Sequence, residues 1–148
     1  MNHIPLAENW IWVKLRDLVV VNYGKGLTES KRQGMDFDVY GSNGKVGTHY
    51  QAVTDKNTII VGRKGSIGVV HFSPKPCWPI DTTYYIDNYP VNLEPLFLFY
   101  FLRTQSLFEM NRASAIPGLN RDDLYKIEIP IPYPFDQFLS IQTQKQII

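Results

Sequence analysis

The 148-residue sequence has little of what marks a disulfide-bonded, zinc-binding or membrane protein. Its single cysteine, Cys77, excludes an internal disulfide and any multi-cysteine zinc site. The longest apolar run, residues 96–102, is far shorter than the about 18 residues that a membrane span needs. The first residues have neither the basic nor the apolar region of a secretory signal peptide. These absences predict a soluble, cytoplasmic protein with no membrane partner.

The sequence also lacks the strong positive charge that is common among nucleic-acid binders, since its formal net charge is only +1. The charge is unevenly distributed. Residues 1–76 carry ten Lys or Arg against six Asp or Glu, whereas residues 77–148 carry five against eight. This asymmetry permits a basic surface on a nearly neutral protein, and ordinary solvated surface is the alternative. The length and a hydrophobic content of 44% indicate one folded domain.

What the sequence does contain is a series of short β segments separated by turns, with helices only towards its end. Residues 8–23 fit a short strand, or a helical turn followed by a strand. The predicted fold class is α+β, a mainly β domain over residues 1–134 with one packed, aromatic-rich helix at about 93–110. Residues 24–37 are predicted as a surface loop. Further strands are predicted at 39–40, 46–50, 58–61, 67–72, 81–86 and 124–130.

Residues 135–148 are predicted to begin another helix, which the sequence does not complete. Apolar residues recur there at nearly helical spacing, and so short a helix needs a partner to be stable. We expect this apolar stripe to pack on the domain, either as a terminal helix or as the start of a longer spacer coiled coil. The stripe consists of Phe135, Phe138, Leu139, Ile141, Ile147 and Ile148.

Two glycine-bounded segments carry basic side chains and predict tight turns. They are Gly41-Ser-Asn-Gly44, followed by Lys45, and Gly62-Arg-Lys-Gly65. Neither has the glycine spacing of a P-loop or of a dinucleotide-binding fold, and a strand rather than a helix follows the second. Backbone can approach a phosphate closely at such turns, so phosphate contact is one interpretation. Simple hairpin turns are the other.

Patterns for nucleophilic, metal-dependent or methyltransferase chemistry are weak. Prolines surround Cys77 and no orienting group accompanies His71, which favours a buried thiol over a nucleophile. The histidines His3, His49 and His71 lack the spacing of metal ligands. The prolines of residues 129–134 are not preceded by the Asn or Asp that an adenine methyltransferase motif requires.

One combination of charged residues keeps an enzymatic alternative open. Asp17, Glu29 and Lys31 superficially fit the acidic residues and lysine of a metal-dependent nuclease. Such triplets also arise by chance in charged loops. Cleavage of plasmid DNA with magnesium would separate this alternative from a DNA-binding domain without catalysis. A β-rich protein-interaction module would show no DNA affinity at all.

Short segments, taken in order along the chain, carry a family resemblance. They are Trp12-Val-Lys-Leu-Arg-Asp-Leu18, Tyr40-Gly-Ser-Asn-Gly44, Thr58-Ile-Ile-Val-Gly-Arg-Lys-Gly-Ser-Ile-Gly68, Cys77-Trp-Pro-Ile-Asp-Thr-Thr-Tyr-Tyr85, Leu96 to Leu102, Ile116-Pro-Gly-Leu-Asn120, and Ile127-Glu-Ile-Pro-Ile-Pro132 running into Gln137. This ordered set resembles the target-recognition domain of the specificity subunit of type I restriction–modification enzymes. It covers nearly the whole chain. One departure is residues 133–137, Tyr-Pro-Phe-Asp-Gln, where the family more usually has Pro-x-x-Glu-Gln.

The resemblance implies a binding function without catalysis in this chain. Two such domains in one subunit read the halves of a split DNA sequence, and long helices between them set the spacing and contact the modification subunits. S-adenosylmethionine, ATP and magnesium would belong to the modification and restriction subunits, leaving no cofactor here. Residues 1–134 would be the recognition domain and 135–148 the beginning of a spacer helix. The chain would then be a fragment, a half-subunit, or one arm that pairs with itself through this helix.

The resemblance does not identify the DNA-contacting residues, so these are predicted from side-chain chemistry. The glycine turns are expected to hold the DNA backbone, and loops rich in Arg, Lys, Asn, Gln and Thr are expected to read bases. Tyr40 and Tyr50 are expected to be buried in the sheet rather than stacked on DNA. The backbone candidates are Lys45, Arg63, Lys64, Gly65 and Ser66; the base-reading candidates are Lys25, Lys31, Arg32, Thr48, Gln51, Asn120 and Arg121.

Overall fold

The computed structural model describes residues 6–111 and 116–148, and within these ranges the fold is mainly β. The helices are α1 (Pro95–Thr104), α2 (Arg121–Tyr125) and α3 (Gln137–Ile147), with short 3-10 helices at Leu15–Asp17, Glu29–Lys31 and Leu107–Asn111. The strands are β1 (Trp10–Lys14), β2 (Asn22–Tyr23), β3 (Phe37–Gly41), β4 (Gly44–His49), β5 (Thr58–Gly62), β6 (Val70–Ser73), β7 (Trp78–Pro79), β8 (Thr83–Ile86) and β9 (Glu128–Pro132). The predicted α+β class is confirmed.

A four-stranded antiparallel sheet in the order β2-β8-β5-β6 forms the centre of the domain. Every residue of β5, Thr58–Gly62, is buried, as its unbroken run of β-branched residues predicts for a central strand. The aromatic helix α1 covers this sheet, burying Phe97, Leu98 and Leu102 in the main core. The predicted packing of an aromatic-rich helix on a β domain is therefore confirmed.

A second sheet, in the order β4-β3-β7, lies beside the first. Strands β3 and β4 form an antiparallel hairpin in which Gly41 pairs with Gly44, so the predicted turn at residues 41–44 is present. Strand β7 pairs in parallel with β3, Val39 opposite Trp78. This pairing brings the proline-rich segment around Cys77 into the fold, where the thiol is fully buried.

The third sheet joins two strands that lie far apart in sequence. Strand β1 pairs antiparallel with β9, from Trp10 opposite Pro132 to Lys14 opposite Glu128. Since β9 has no partner on its other side within the described residues, Pro130 and Pro132 can occupy this edge strand. Helix α3 follows directly and packs against β9 and α1.

The face that α3 turns towards the domain is polar, contrary to the apolar stripe expected from the sequence. Ser140 and Gln144 are fully buried, whereas Phe138 is 77% exposed. The Gln144 side-chain amide accepts a hydrogen bond from the Glu94 backbone N–H at 2.8 Å and donates to the Asn92 carbonyl at 2.6 Å. These bonds attach the helix at the start of α1. Of the predicted apolar stripe, Leu139 and Ile141 are half-buried, whereas Phe135, Phe138, Ile147 and Ile148 are exposed.

Several element boundaries differ from the sequence predictions. The helix predicted at about 93–110 is interrupted, because Gln105 is extended and the chain resumes as a 3-10 helix at Leu107. This second segment packs directly on the 62–68 turn, since a Cβ on Gly68 would lie 2.7 Å from the Phe108 backbone nitrogen. The strand predicted at 67–72 begins only at Val70, because Gly68 has a φ of +80°.

The strand predicted at 124–130 is also wrong at its beginning. Asn120 caps a helix instead, its side-chain oxygen accepting hydrogen bonds from the Asp122 and Asp123 backbone N–H groups. Two carboxylates in the first turn further favour the helix. Within the described ranges, no helix has the length and apolar character that crossing a membrane would require.

Candidate functional site

The two basic glycine turns predicted from the sequence lie against each other. The Ser42 hydroxyl oxygen of the first turn accepts a hydrogen bond from the Ser66 backbone N–H of the second, at 3.2 Å. The first turn is also held from β6, where the His71 Nε2 atom lies 3.0 Å from the Ser42 carbonyl oxygen. Candidate residues from the two turns, Lys45 and Arg63 to Ser66, therefore belong to one part of the surface.

Glycine is required at the start of the second turn for a steric reason. The Gly68 backbone N–H donates to the Gly62 carbonyl at 2.8 Å, which closes residues 62–68 into a compact loop. A Cβ on Gly62 would lie 2.0 Å from the Ser66 carbonyl oxygen. Gly65 has a φ of +77°, a conformation that side chains disfavour. The predicted tight turn is present, but it is wider than a hairpin turn.

Residues 116–122 form the third component, held to the second turn by backbone hydrogen bonds. The Leu119 N–H donates to the Arg63 carbonyl at 2.8 Å, and the Tyr84 hydroxyl donates to the Leu119 carbonyl at 2.7 Å. Asn120 then begins α2 as its N-cap. The glycine and proline of residues 114–120 predict a loop there, and residues 114 and 115 of it lie outside the described residues.

The second turn and residues 116–122, together with Tyr23 and Tyr84, line an open cleft of about 470 Å³, which we call the arginine cleft. Its distinguishing feature is a pair of guanidinium groups close to the exposed Tyr23 ring, with the Arg121 Cζ atom 4.7 Å and the Arg63 Cζ atom 5.4 Å from the ring centroid. Cation–π attraction holds both groups in place. Its lining includes Tyr23, Arg63, Lys64, Tyr84, Asn120 and Arg121.

Arg63 is more tightly held than its position in a turn predicts. Its guanidinium lies 5.8 Å from the Tyr84 ring centroid and donates from Nη2 to the Asp81 backbone carbonyl. Its Nε atom is buried without a hydrogen-bond partner in the described structure. Lys64, by contrast, is exposed.

Tyr84 lines the arginine cleft, and its pKa responds to the charges there. Burial raises the pKa of Tyr84, and the guanidinium groups of Arg63 and Arg121 act in the opposite direction. Tyr84 pairs in register with Tyr23 on the neighbouring strand, and their ring centroids are 5.3 Å apart. The phenol therefore remains neutral, and its hydroxyl stays available to hold Leu119.

The β3–β4 hairpin carries another group of predicted residues, most of which are engaged in local contacts. The Lys45 ammonium pairs with the Asp38 carboxylate at 3.2 Å, and this contact raises the pKa of Lys45. Arg32 donates from Nε to the Leu27 carbonyl at 3.1 Å and from Nη1 to the Val46 carbonyl at 3.3 Å. The Thr48 hydroxyl donates to the Gly34 carbonyl at 2.7 Å. We call Arg32, Asp38, Lys45 and Thr48 the hairpin surface.

The remaining base-reading candidates lie near the hairpin but outside the arginine cleft. Lys25 and Gln51 line a hollow beside Trp78, with the Lys25 Nζ atom 5.4 Å from the Trp78 ring centroid. Tyr50 lines the same hollow and is 54% exposed, so the expectation of burial is wrong for it. Tyr40 is buried as expected. Lys31 is exposed on its short 3-10 helix.

Comparison with family models gives a match to the type I restriction modification DNA specificity domain over residues 7–148. The chain belongs to this family. The match covers nearly the whole sequence and confirms the resemblance drawn from its ordered segments. Comparison with curated proteins gives no match.

Solved structures of specificity subunits have the same fold as this specificity domain. The S subunit of a type I restriction-modification system from M. genitalium is similar over 95% of this chain, with a TM-score of 0.74 and 22% identity. The HsdS subunit from Thermoanaerobacter tengcongensis is similar over 97%, with a TM-score of 0.66 and 18% identity. The chain spans 40% of the first protein and 38% of the second, about two fifths of each.

A third similar structure comes from work on complex assembly and conformational transition of the type I R-M system. It is similar over 97% of this specificity domain, with a TM-score of 0.71 and 17% identity, and this chain spans 39% of its length. Together the three structures confirm the fold class assigned from the sequence.

The nuclease alternative is not supported by the structure of the specificity domain. Asp17 lies on the 3-10 helix after β1, whereas Glu29 and Lys31 lie on the separate 3-10 helix before the hairpin. Among the described residues, no group of three His, Cys, Asp or Glu side chains is arranged to hold a metal ion.

The cysteine and histidines of the specificity domain have structural partners. Burial raises the pKa of the Cys77 thiol, which contacts the Thr54 hydroxyl at 3.5 Å. His49 is buried, and its Nδ1 atom accepts a hydrogen bond from the Gln33 backbone N–H at 3.0 Å. These contacts agree with a satisfied thiol rather than a nucleophile. His3 lies outside the described residues.

Sequence reasoning missed the aromatic components of the arginine cleft. Tyr23 and Tyr84 belong to strands whose pairing is not local, so their common location could not be inferred from spacing. A weak sequence signal was present, because Tyr23 is followed directly by Gly24. In the structure, a Cβ added to Gly24 would lie 1.9 Å from the Ile80 carbonyl oxygen. That close approach brings residues 22–24 against the segment leading into β8.

Proposed function

We propose that this specificity domain binds one half of a bipartite duplex DNA sequence through the arginine cleft and the adjoining glycine turns. The observation that carries the proposal is the convergence of Arg63, Lys64 and Arg121, from two distant parts of the sequence, in one cleft beside the exposed Tyr23 ring. Cations concentrated in an open cleft attract phosphate and release condensed counterions when they bind it.

The compact turns supply the second requirement of a DNA-binding surface, which is close approach. Lys64 and Gly65 are the exposed part of this turn, and Gly65 has no side chain, so a phosphate can approach the backbone there beside Lys64. Gly65 and Ser66 remain DNA-backbone candidates on this basis. Lys45 lies at the edge of the same surface, but its ion pair with Asp38 partly neutralises its charge.

The partners and cofactors of the whole subunit are part of the proposal. We infer that modification and restriction subunits carry S-adenosylmethionine, ATP and magnesium, and that this chain contributes recognition without catalysis in the cytoplasm. Residues 1–134 would then be the recognition domain and 135–148 the start of the spacer. The exposed Phe138 beside Val91, Leu93 and Ile141 supports an additional helical partner there, from a second recognition domain or a second copy of the chain.

A matched pair of triple variants tests the DNA-binding proposal. The full chain, assembled with its modification subunits, is titrated by fluorescence anisotropy against duplexes whose sequence comes from methylation mapping of the native genome. Arg63→Ala, Lys64→Ala and Arg121→Ala together are expected to abolish measurable binding. The control triple, Lys56→Ala, Lys75→Ala and Lys145→Ala, removes exposed cations outside the cleft and is expected to reduce affinity only slightly. Equal losses from the two triples would contradict the proposal.

A further inference from the structure

The two arginines of the cleft differ in how many hydrogen-bond donors they retain. Arg63 donates to the Asp81 carbonyl from Nη2, and its Nε atom is buried. Arg121 makes one long hydrogen bond, 3.5 Å from Nη1 to the Val21 carbonyl, and is only half-buried. A guanidinium carries five N–H groups in a rigid plane, so Arg121 keeps the Nη2 and Nε donors for a ligand.

The surroundings of Arg121 restrict its motion without using those donors. Its Cζ atom lies 4.7 Å from the Tyr23 centroid and 5.8 Å from the Tyr125 centroid. Tyr125 is itself fixed, since its hydroxyl oxygen accepts the Val21 backbone N–H at 2.9 Å. The Arg121 backbone follows the Asn120 cap. A side chain ordered before binding loses less entropy when a ligand binds, which favours both affinity and selectivity.

Most of the other base-reading candidates are less suited to this role. The Asn120 side-chain oxygen is occupied by two backbone N–H groups, which leaves only a donor and prevents paired recognition of adenine. Arg32 and Thr48 use their polar groups within the hairpin surface. Lys25 and Lys31 carry single ammonium groups, which lack a planar pair of donors.

We propose that Arg121 reads a guanine in the DNA half-site and that Tyr23 positions it. The guanine edge in the major groove presents two acceptors, O6 and N7, side by side. Two parallel N–H groups of one guanidinium match this pair, whereas adenine, cytosine and thymine place a donor or a methyl group there. Arg63, held to the Asp81 carbonyl, contacts phosphate instead. This inference rests on the proposed DNA-binding function.

The test measures base preference rather than affinity alone. The full chain with its modification subunits is first used to select a half-site from duplexes randomised at each position. Each selected guanine is then replaced in turn by the other bases in competition assays. The wild type should prefer guanine at one position by about 5- to 150-fold, the range of one bidentate contact. Arg121→Ala should reduce that preference below about twofold and leave other positions and non-cognate affinity nearly unchanged.

Control variants separate base reading from structure and from charge. Arg121→Lys keeps the charge and the stem, and it should lose the guanine preference like Arg121→Ala. If Arg121→Ala unfolds at a lower temperature than the wild type, the result for Arg121→Lys decides whether Arg121 reads a base. Arg103→Ala removes an exposed arginine that lies 5.4 Å from the Phe99 ring outside the cleft, and it should preserve every preference. Tyr23→Leu should weaken the guanine preference partially, whereas Tyr23→Phe should retain it.

The possible failures are distinguishable. A wild type that shows no affinity for any duplex would overturn the proposed function and this inference together. An Arg121→Lys protein that binds DNA and keeps the guanine preference would overturn the inference alone. A uniform loss at all positions in both Arg121 variants would assign Arg121 to the DNA backbone and would also overturn it.

Discussion

The arginine cleft and the hairpin surface are both basic in sequence, yet they use their polar groups differently. In the hairpin surface, Lys45 pairs with Asp38, and Arg32 bridges the loop before the hairpin to β4. In the arginine cleft, aromatic rings hold the cations, and Arg121 keeps most of its donors. Charge counted along a sequence therefore does not distinguish a structural cation from one that is available to a ligand. The two kinds of cation are distinguished by the contact that orders each of them.

The largest expected effect comes from breaking the backbone of the cleft rather than its charges. Gly62→Ala should lower the free energy of unfolding by about 3 kcal/mol or more, because the new Cβ overlaps the Ser66 carbonyl oxygen. Gly47→Ala, in the hairpin, meets only the flexible Arg32 Cδ atom at 3.3 Å and should cost less than about 1 kcal/mol. Urea denaturation of both variants measures the difference. Comparable losses would show that the two regions tolerate side chains equally.

A smaller effect is expected from releasing residues 116–122. Tyr84→Phe removes the hydrogen bond to the Leu119 carbonyl and should cost about 1 kcal/mol of unfolding free energy. The exposed Tyr50→Phe in the neighbouring aromatic hollow is the matched control and should cost almost nothing. Circular-dichroism melting of the two variants measures the difference. A larger loss of stability in Tyr50→Phe than in Tyr84→Phe would contradict the prediction.

The same tyrosine gives the cleft a pH dependence. Because burial raises the pKa of Tyr84 in the folded state, its stabilising contribution is complete below about pH 10 and is lost as the pH rises through the folded-state value. Burial also raises the pKa of Tyr40 in β3, so the second sheet should behave in the same direction. Unfolding free energy should therefore fall above about pH 10, and less steeply in Tyr84→Phe. A slope unchanged by that substitution would exclude Tyr84 as a contributor.

Losing a single exposed cation from the cleft should affect DNA binding modestly and uniformly. Lys64→Ala should reduce the slope of log affinity against log salt by about one unit on cognate and random duplexes alike. Lys56→Ala, an equally exposed lysine outside the cleft, should leave the slope unchanged. Anisotropy titrations from low to moderate salt measure the slope for both variants. If Lys64→Ala changes the sequence preference without changing the slope, Lys64 is a base reader.

The smallest effect is expected in the hairpin surface. Asp38→Asn removes the partner of Lys45 and one negative charge, so affinity for random duplex DNA should rise by less than about fivefold at low salt. Lys45→Ala should lower it by a similar factor. Asp36→Asn, an exposed acid close by in sequence, controls for net charge alone. If affinity rises equally in Asp36→Asn, the Asp38–Lys45 ion pair does not itself weaken DNA binding.

Local sequence pattern predicted the parts of the fold that depend on local chemistry. The turn at residues 41–44 follows from its glycines, and the buried strand β5 follows from a β-branched run. The parallel pairing of β7 with β3 could not be predicted, because two residues between prolines carry no periodicity. The helix α2 was not predicted, because the apolar residues from Leu124 onwards favoured a strand and the capping role of Asn120 was not recognised.

The sequence identified the basic and amide side chains of the candidate site but neither its tyrosines nor the arrangement of its residues. Arg63, Lys64, Asn120 and Arg121 were all selected from side-chain chemistry, and they share one cleft. Their grouping depends on the backbone bond from Leu119 to Arg63, a contact between segments far apart in the chain. The engagement of Arg32, Thr48 and Lys45 was equally invisible, since each contact is made across a loop or a strand.

The sheet formed by β1 and β9 has a consequence for how the domain folds. Its strands pair from Trp10 with Pro132 to Lys14 with Glu128, so closing it encloses nearly every other element in one loop. Closing so long a loop is entropically unfavourable until the enclosed sheets have collapsed, which places this pairing late in folding. Shortening the buried Ile129 to Val should therefore accelerate unfolding and leave the refolding rate almost unchanged. The helix that continues from β9 would acquire its fixed direction only in this last step.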